Sequence, residues 1–409
     1  MFVDQRPETI YALFAFGVAA ILAWLLVPVA ERIAWRIGAI DYPNERSLHT
    51  KPTPKLGGLA IFVGVSVAAV LFLPWALQTQ ALLAGAVVIT IVGVLDDVFE
   101  LNPLLKLAGQ VTAATIPALN GVNVSVFTLP FVGGVDMRSV EILNDAWLLG
   151  NVHLGHLLTI VGIVAVINVI NLIDGIDGLA AGVCVISAGT LAAIALSLDK
   201  TGAGVLAALT AGGALGFLRH GFPPASSFMG DTGSNLLGYL LGAIAIQGAL
   251  KTNAVVALFF PMLILAVPIL DTGFVIAKRI KYRRPIYRAD SWHFHHRMTN
   301  IGFSQRRTLA YLYGWTLIMA GLALALRFVP YSDDGGSLDP VWTAVMVACL
   351  VLALAASFYL IVTLEILKLR RARSRELADA LGAPVGPHEV DEEVARELET
   401  GEFKAVDST

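Results

Sequence analysis

The feature that most constrains this chain is a succession of apolar segments, each about as long as a lipid bilayer is thick. A helix needs about 20 apolar residues to cross the hydrocarbon core of a membrane, and about eleven such segments follow one another in the 409-residue sequence. Charged residues make up only 14% of the chain, whereas soluble domains carry about 25%. The sequence therefore predicts an all-α, polytopic membrane protein.

The predicted spans begin near Ile10, Gly58, Ala81, Leu105, Leu157, Leu179, Ala203, Leu236, Asn253, Leu309 and Val341. The third, fourth and seventh are short or rich in Gly and Ala, so ten spans remain an alternative. Residues 121–154 are too polar to cross the membrane, and their alternating pattern predicts a short β-hairpin outside it. We assign residues 1–375 to a transmembrane domain and the acidic residues 376–409 to a flexible cytoplasmic tail.

Lysine and arginine residues predict the orientation, because they accumulate in cytoplasmic loops. With the N-terminus outside, the other 23 of the 28 basic residues lie on the cytoplasmic side. The outer loops then contain only Arg6, Arg138, Lys200, Lys251 and Arg327. We therefore expect the N-terminus outside the cell and the C-terminus in the cytoplasm.

Ionisable groups are costly inside a membrane and tend to mark functional sites. Here they gather at the ends of the predicted spans, and under the predicted orientation every group lies at the cytoplasmic face. The groups are Asp96 and Asp97; Asn168, Asn171, Asp174 and Asp177; Asp231; and Asp290, His293, His295 and His296. This shared placement predicts a single polar site on that face.

Two of these groups are rich in carboxylates. Adjacent acids such as Asp96 and Asp97 repel each other, a cost that a divalent cation with a phosphate ligand would offset. A helix cap or a solvated loop end is the alternative. In the motif NLIDGIDGLAAG, two asparagines share one helical face, and Asp174 and Asp177 each precede a helix-breaking glycine. This motif predicts a polar pocket, against the alternative of a simple Asp-Gly turn.

The remaining groups favour anion binding. Asp231 lies in a glycine-flanked loop, GDTGS, whose backbone N–H groups favour phosphate, although helix capping is an equal explanation. The HFHH motif lies among many Lys and Arg residues, a setting that favours a diphosphate over the alternative of zinc. Arg46, His49 and Lys51, in the Pro-rich segment 41–58, could meet an anion or simply set the orientation of the chain.

Five motifs together resemble the polyprenyl-phosphate N-acetylhexosamine-1-phosphate transferases. They are DYPNERSLHTKPTPKLGG, GVLDDVFELNPLLKLAGQ, NVINLIDGIDGLAAG, FMGDTGSNLLG and HFHHRM, and they occur in that order between residues 41 and 307. This family is related to the phospho-MurNAc-pentapeptide transferase of peptidoglycan synthesis, but the H-x-H-H form resembles the branch that acts on UDP-GlcNAc. Lys51 departs by one residue in spacing from a lysine of the MurNAc branch.

The resemblance implies that a polyprenyl phosphate attacks the β-phosphorus of a UDP-N-acetylhexosamine and releases UMP, with Mg²⁺ or Mn²⁺ as cofactor. It implies that Asp231 binds the metal directly, and Asp96 and Asp97, which match the paired acids beside it, are predicted as metal residues with it. Catalytic roles are predicted for these three residues and His293. The predicted substrate-binding residues are Asn168, Asn171, Asp174, Asp177, Phe228, His295, His296, Arg297, Arg46, His49 and Lys51. Among them, Asp177 and Phe228 match residues that contact uracil.

Several alternatives stay open at this point. Asp97 either orients and deprotonates the lipid phosphate for direct displacement, the route that we favour, or attacks first and forms an acyl-phosphate. A transporter with a cytoplasmic anion site, or an inactive homologue, would share part of the pattern. The expected partners are the UDP-sugar, polyprenyl phosphate and the lipids of a bacterial plasma membrane. No nucleic acid is expected, and a homodimer is compatible with the resemblance.

Overall fold

The computed structural model describes residues 7–43, 51–124, 126–129, 133–146, 150–249, 260–281, 294, 298, 303–330 and 339–359. Within them, eleven helices of at least 16 residues follow one another, which confirms the all-α prediction. They are α1 (Pro7–Ile37), α2 (Gly57–Phe72), α3 (Leu77–Phe99), α4 (Pro103–Leu119), α5 (Leu154–Ile173), α6 (Leu179–Ser197), α7 (Thr201–Gly221), α8 (Gly230–Ala249), α9 (Ala266–Lys281), α10 (Gln305–Phe328) and α11 (Pro340–Phe358). The span start predicted near Asn253, and the tail 376–409, lie outside the described residues.

Seven of the described helices are long and apolar enough to cross a membrane, namely α1, α3, α5, α6, α7, α10 and α11. α2 is a shorter apolar helix, as is the Ala266–Ile276 part of α9. α4 and α8 carry polar side chains within their apolar sequence, such as Lys106 in α4 and Asp231 in α8. The prediction of a multi-pass membrane protein is thus confirmed, while its orientation stays a prediction.

Six short strands occur among the described residues. They are β1 (Ile40–Asp41), β2 (Thr53–Pro54), β3 (Val126–Leu129), β4 (Gly133–Asp136), β5 (Glu141–Ala146) and β6 (Gly150–His153). Consecutive strands pair antiparallel, so two hairpins lie between α4 and α5 where the sequence predicts one. The Asp136 carboxylate accepts a hydrogen bond from the Arg138 N–H at 2.9 Å. This local turn ends β4, because such side chains compete with the strand ladder for backbone groups.

α1 and α7 pack with their backbones close together. α1 buries a stripe of small residues, which are Ala12, Ala15, Ala19, Ala23, Val27, Ala30 and Ala34. On α7, a Cβ atom added to Gly212 would lie 2.2 Å from the Phe16 carbonyl oxygen, and one added to Gly216 would lie 2.2 Å from that of Ala20. Small residues therefore allow this close approach, as they do in other pairs of membrane helices.

α8 lies against both α3 and α5, again by way of glycine. A Cβ atom added to Gly238 of α8 would lie 2.6 Å from the Ile167 Cα of α5. A Cβ atom added to Gly93 of α3 would lie 2.4 Å from the Thr232 Cα of α8. These contacts bring the last turns of α3 and α5 beside the first turn of α8, which is where the polar residues lie.

The chain divides into two compact units, Met1–Pro268 and Ile269–Thr409. The contacts of α1 to α8 described above all belong to the first unit. In the second unit, the ring of Phe294 lies between those of Phe274 and Trp315, with centroids 5.8 Å from each. Phe294 is the second residue of the HFHH motif, and its ring packs against aromatic side chains of its own unit.

Candidate active site

The central feature of the site is a lysine that lies between two carboxylates from different helices. Lys106 of α4 places its Nζ 2.8 Å from Asp96 Oδ2 of α3 and 2.6 Å from Asp231 Oδ1 of α8. The Asp96 side chain is only 8% exposed and that of Lys106 18%. Because charges removed from water are weakly screened, these ion pairs hold the ends of three helices together.

α5 adds an amide to this group. Asn171 donates hydrogen bonds from Nδ2 to Asp231 Oδ1 and to the Ser234 hydroxyl, the second at 2.9 Å. Its Oδ1 accepts from Lys106 Nζ at 3.4 Å. We call Asp96, Lys106, Asn171 and Asp231 the charged cluster. Sequence reasoning missed Lys106, although a lysine inside an apolar segment is itself a signal of function.

A second polar layer lies about one helical turn deeper along the same helices. Asn168 donates to Gln110 Oε1 at 2.8 Å, and Gln110 donates to Asn235 Oδ1 at 3.4 Å. Gln110 and Asn235 are 1% and 0% exposed. The structure thus places Asn168 beneath the charged cluster, beside two amides that sequence reasoning did not single out.

Asp97 faces the first turn of α8. Its Oδ1 accepts a hydrogen bond from the Asp231 N–H at 2.8 Å. Its Oδ2 accepts two more, from the Thr232 N–H at 2.9 Å and from the Thr232 hydroxyl at 2.7 Å. The carboxylate therefore caps α8, because the first N–H groups of a helix have no partner within it.

The carboxylates of the IDGIDG motif lie in the turn between α5 and α6. Asp177 Oδ2 accepts a hydrogen bond from the Ala225 N–H at 3.0 Å, which ties this turn to the loop before α8. Burial, and then the nearby carboxylates of Asp231, Asp97 and Asp177, raise the pKa of Asp174 well above its usual range. The turn and the loop before α8 are thus joined directly.

The loop before α8 carries Phe228 and is held by the segment that leads into α2. The Phe228 N–H donates to the Pro54 carbonyl at 2.8 Å, and the Phe228 carbonyl accepts from the Gly57 N–H at 2.9 Å. A Cβ atom added to Gly57 would lie 2.8 Å from that same carbonyl oxygen. The TPKLGG sequence therefore has a positioning role for Phe228, which explains its adjacent glycines.

The basic candidates are described only in part. Lys51 is exposed, and no hydrogen bond or ion pair within the described part of the chain joins its side chain to the charged cluster. Arg46, His49, His293, His295, His296 and Arg297 lie outside the described residues. Between those histidines, the Phe294 N–H donates to Oδ1 of the buried Asp271 at 2.7 Å.

The donor atoms of the charged cluster suit Mg²⁺, which prefers oxygen ligands. Lys106 already lies between Asp96 and Asp231, so this pair of carboxylates accommodates a positive charge. Within the described ranges, no three His, Cys, Asp or Glu side chains form a group that could hold a metal ion. A bound Mg²⁺ would therefore need water or substrate oxygens as further ligands, as is usual for this ion.

These features define a polytopic membrane protein whose site of carboxylates, amides and a lysine is built where helix ends meet. The family model of glycosyl transferase family 4 matches residues 79–249, which include the whole charged cluster. The chain belongs to this family, which confirms the resemblance found in its motifs.

Individual relatives agree with this assignment. The chain is 38% identical over 327 residues to the probable undecaprenyl-phosphate N-acetylglucosaminyl 1-phosphate transferase of Bacillus subtilis (strain 168), covering 80% of this chain and 87% of that protein. It is 35% identical over 366 residues to the decaprenyl-phosphate N-acetylglucosaminephosphotransferase of Mycolicibacterium smegmatis, covering 81% and 86%. It is 31% identical over 344 residues to the phospho-N-acetylmuramoyl-pentapeptide-transferase of Desulforudis audaxviator, covering 78% and 98%.

Proposed function

We propose that this protein transfers N-acetylglucosamine-1-phosphate from UDP-GlcNAc to a membrane polyprenyl phosphate and releases UMP. The product would start a lipid-linked polysaccharide of the cell envelope. The observation that carries the proposal is the convergence of Asp96, Lys106, Asn171 and Asp231 at helix ends in a chain of this family. The names of the B. subtilis and M. smegmatis relatives support the sugar and the acceptor.

The charged cluster fits the electrostatic problem of this reaction. An oxygen of the lipid phosphate forms a bond to the β-phosphorus of the UDP-sugar, and the bond to the oxygen of the leaving UMP breaks. Both reactants are anions, so a cationic group has to offset their repulsion. Lys106 supplies one such charge, and Asp96 and Asn171 hold its ammonium in place.

We propose Asp231 and Asp96 as ligands of Mg²⁺, with Mn²⁺ able to replace it. When bound, the ion would neutralise charge on the diphosphate and on the leaving UMP. Asn171 fixes the orientation of the Asp231 carboxylate through its hydrogen bond. Support for this assignment comes from the oxygen donor set and from the cation that the two carboxylates already accommodate.

The uridine end of the donor is proposed to bind near Asp177 and Phe228. The hydrogen bond between Asp177 and the Ala225 N–H brings the turn after α5 to the loop that carries Phe228. An aromatic ring can stack on a base, and a carboxylate can accept a hydrogen bond from its N–H group. Asp174, Asn168 and the basic residues of the two segments outside the described residues complete the predicted substrate contacts.

We propose a bacterial plasma membrane location, with the N-terminus outside and the site facing the cytoplasm. The bias of lysine and arginine toward one set of loops supports this orientation. A site at helix ends also suits a reaction that joins a water-soluble donor to a membrane lipid. A homodimer stays a prediction from the resemblance.

Turnover by the purified protein in detergent tests the proposal. The assay supplies undecaprenyl phosphate, Mg²⁺ and either UDP-GlcNAc or UDP-GalNAc, and it detects both UMP and the lipid-linked sugar. We expect product from UDP-GlcNAc, lost with EDTA and in Asp231→Asn but retained in Glu141→Gln, which removes a charge at an exposed residue of β5. No product from either sugar would contradict the proposed function.

A further inference from the structure

We propose that Asp97 is a positioning residue that fixes the first turn of α8, and with it the Asp231 carboxylate, and that it is neither a nucleophile nor a metal ligand. The catalytic consequence of this inference rests on the proposed function. The placement of Asp97 itself rests on contacts between α3 and α8.

Both oxygens of Asp97 are engaged by α8. Oδ1 accepts from the Asp231 N–H at 2.8 Å, and Oδ2 accepts from the Thr232 N–H at 2.9 Å and the Thr232 hydroxyl at 2.7 Å. A nucleophilic oxygen needs a lone pair directed at the phosphorus with a clear approach. Here three donors from one helix end occupy the two oxygens.

There is also no room for a ligand between Asp97 and α8. Gly230 has φ +65°, in the left-handed region that favours glycine. A Cβ atom added to Gly230 would lie 2.5 and 2.6 Å from the two Asp97 oxygens and 2.2 Å from the Lys55 carbonyl oxygen. The first glycine of the GDTGS motif is therefore explained by this close approach, because any side chain there would push the carboxylate away from its donors.

Asp96 also has both oxygens engaged, but one of them binds the ammonium of the charged cluster and not a helix end. Its Oδ2 lies 2.8 Å from Lys106 Nζ, and the same ammonium lies 2.6 Å from Asp231 Oδ1. Its Oδ1 accepts from the Leu101 N–H at 2.9 Å. Successive residues on a helix point about 100° apart, so one acid of the pair faces the charged cluster and the other faces the end of α8. The two adjacent aspartates thus have separate tasks.

Because Asp97 binds the N–H of Asp231 itself, the position of one carboxylate depends on the other through the backbone. An ionised group at the N-terminus of a helix is also favoured by the helix dipole. The prediction is that weakening the cap disturbs what Asp231 binds, even when the variant leaves every side chain of the charged cluster intact.

A double-mutant cycle tests this inference with Asp97→Asn, Thr232→Val and the two combined. Thr232→Val removes the hydroxyl donor while nearly preserving shape, and Thr232→Ser retains it. Thr90→Val is the matched control, because the buried Thr90 hydroxyl donates only to the Ala86 carbonyl of its own helix, at 2.7 Å. The readouts are Mn²⁺ affinity by electron paramagnetic resonance, thermal unfolding, and kcat and KM for UDP-GlcNAc.

We expect Thr232→Val to weaken Mn²⁺ binding about tenfold, the loss typical of one hydrogen bond to a charged group. kcat should fall in parallel while KM for UDP-GlcNAc changes less than about twofold, and Thr232→Ser should restore both. When Asp97→Asn is already present, adding Thr232→Val should weaken Mn²⁺ binding by less than about a further twofold, because the hydrogen-bond partner of the hydroxyl is already weakened.

Two results would overturn the inference. One is a Thr232→Val variant that behaves like Thr90→Val while Asp97→Asn abolishes turnover. The other is exchange of labelled UMP into UDP-GlcNAc without lipid acceptor, lost in Asp97→Asn, because it requires a covalent intermediate. If the wild type shows no turnover with any donor, the proposed function fails. The double-mutant cycles that measure Mn²⁺ affinity and thermal unfolding do not depend on turnover, so they still test the role of Asp97. If Asp97→Asn does not fold, the comparison of Thr232→Val with Thr232→Ser tests it.

Discussion

The ammonium group of Lys106 stabilises the site and, under the proposed function, also takes part in its chemistry. Lys106 is 18% exposed and lies between Asp96 and Asp231, which are 8% and 31% exposed. Removing its charge would leave two carboxylates facing each other with little water to screen them. Under the proposed function, the same charge stands where two anionic phosphates have to meet.

We therefore expect Lys106→Met to lower the free energy of unfolding by about 2 kcal/mol, below the cost of breaking a fully buried pair because Asp231 is partly exposed. UMP release should fall at least about 100-fold. Lys55→Met is the control, since Lys55 lies 3.7 Å from Asp41 in a more exposed pair and should cost less than about 1 kcal/mol. Equal effects of the two substitutions on unfolding would contradict the prediction.

Asp174 should give the stability a pH dependence. Its pKa is raised on folding by burial and by nearby carboxylates. The stabilising contribution of its proton is fully present below the unfolded pKa of about 3.9 and is lost as pH rises through the higher folded pKa. Asp174→Asn should match the wild type in acid and be the more stable protein at neutral pH. The measurement is thermal unfolding of both proteins from acid to neutral pH. A difference in stability between them that does not change with pH would refute the prediction.

At the scale of elements, glycines fix how closely α2, α3 and α5 approach α8. Gly58 of α2 is the sharpest case, because an added Cβ atom would lie 2.2 Å from the Gly233 N and 2.4 Å from the Gly233 Cα. Backbone atoms cannot move aside as the end of a flexible side chain can, so the helices themselves would have to separate.

We expect Gly58→Ala to lower the free energy of unfolding by about 2 kcal/mol or more through overpacking. Gly189→Ala on α6 makes the same change where no atom lies within 4 Å, and better helix propensity should make it neutral or slightly stabilising. Denaturation of the two variants in the same detergent compares them. A Gly58→Ala variant as stable as Gly189→Ala would show that α2 and α8 are less tightly packed than described.

The order of helices could be predicted from the sequence, because apolar segments of membrane length leave few alternatives. It could also be predicted that Asp96, Asn171 and Asp231 lie in one polar group, because ionisable residues within apolar segments are rare and tend to cluster. Their partners could not be predicted. Asp97 accepts a hydrogen bond from the Asp231 N–H, 134 residues later in the chain, and nothing in its local sequence distinguishes it from Asp96. The second hairpin was missed because the turn that separates it from the first, between β4 and β5, depends on a local side-chain hydrogen bond.

For the whole molecule, the predicted orientation can be tested by labelling. We expect Ser139→Cys, in the exposed turn between β4 and β5, to react with a membrane-impermeant maleimide in intact cells. Glu100→Cys, at the exposed end of α3, should react only after the membrane is permeabilised. The two native cysteines, Cys184 and Cys349, are replaced by alanine in both proteins. The reverse labelling pattern would mean that the chain has the opposite orientation.

The length of α1 has a consequence for how substrates reach the protein. α1 has 31 residues, or about 46 Å of helix, and even at a tilt of about 20° it exceeds a hydrocarbon core of about 30 Å. Because its charged residues follow Pro28, we expect the extra length to project from the membrane at the C-terminal end of α1. Glu31, in that end, accepts a hydrogen bond from the Ser226 hydroxyl at 3.3 Å. Because Ser226 belongs to the loop before α8, we expect this loop to lie outside the hydrocarbon core. Under the proposed function, the nucleotide would then approach this loop from the water and the lipid headgroup from the membrane surface, so the two reactants would not compete for one entrance.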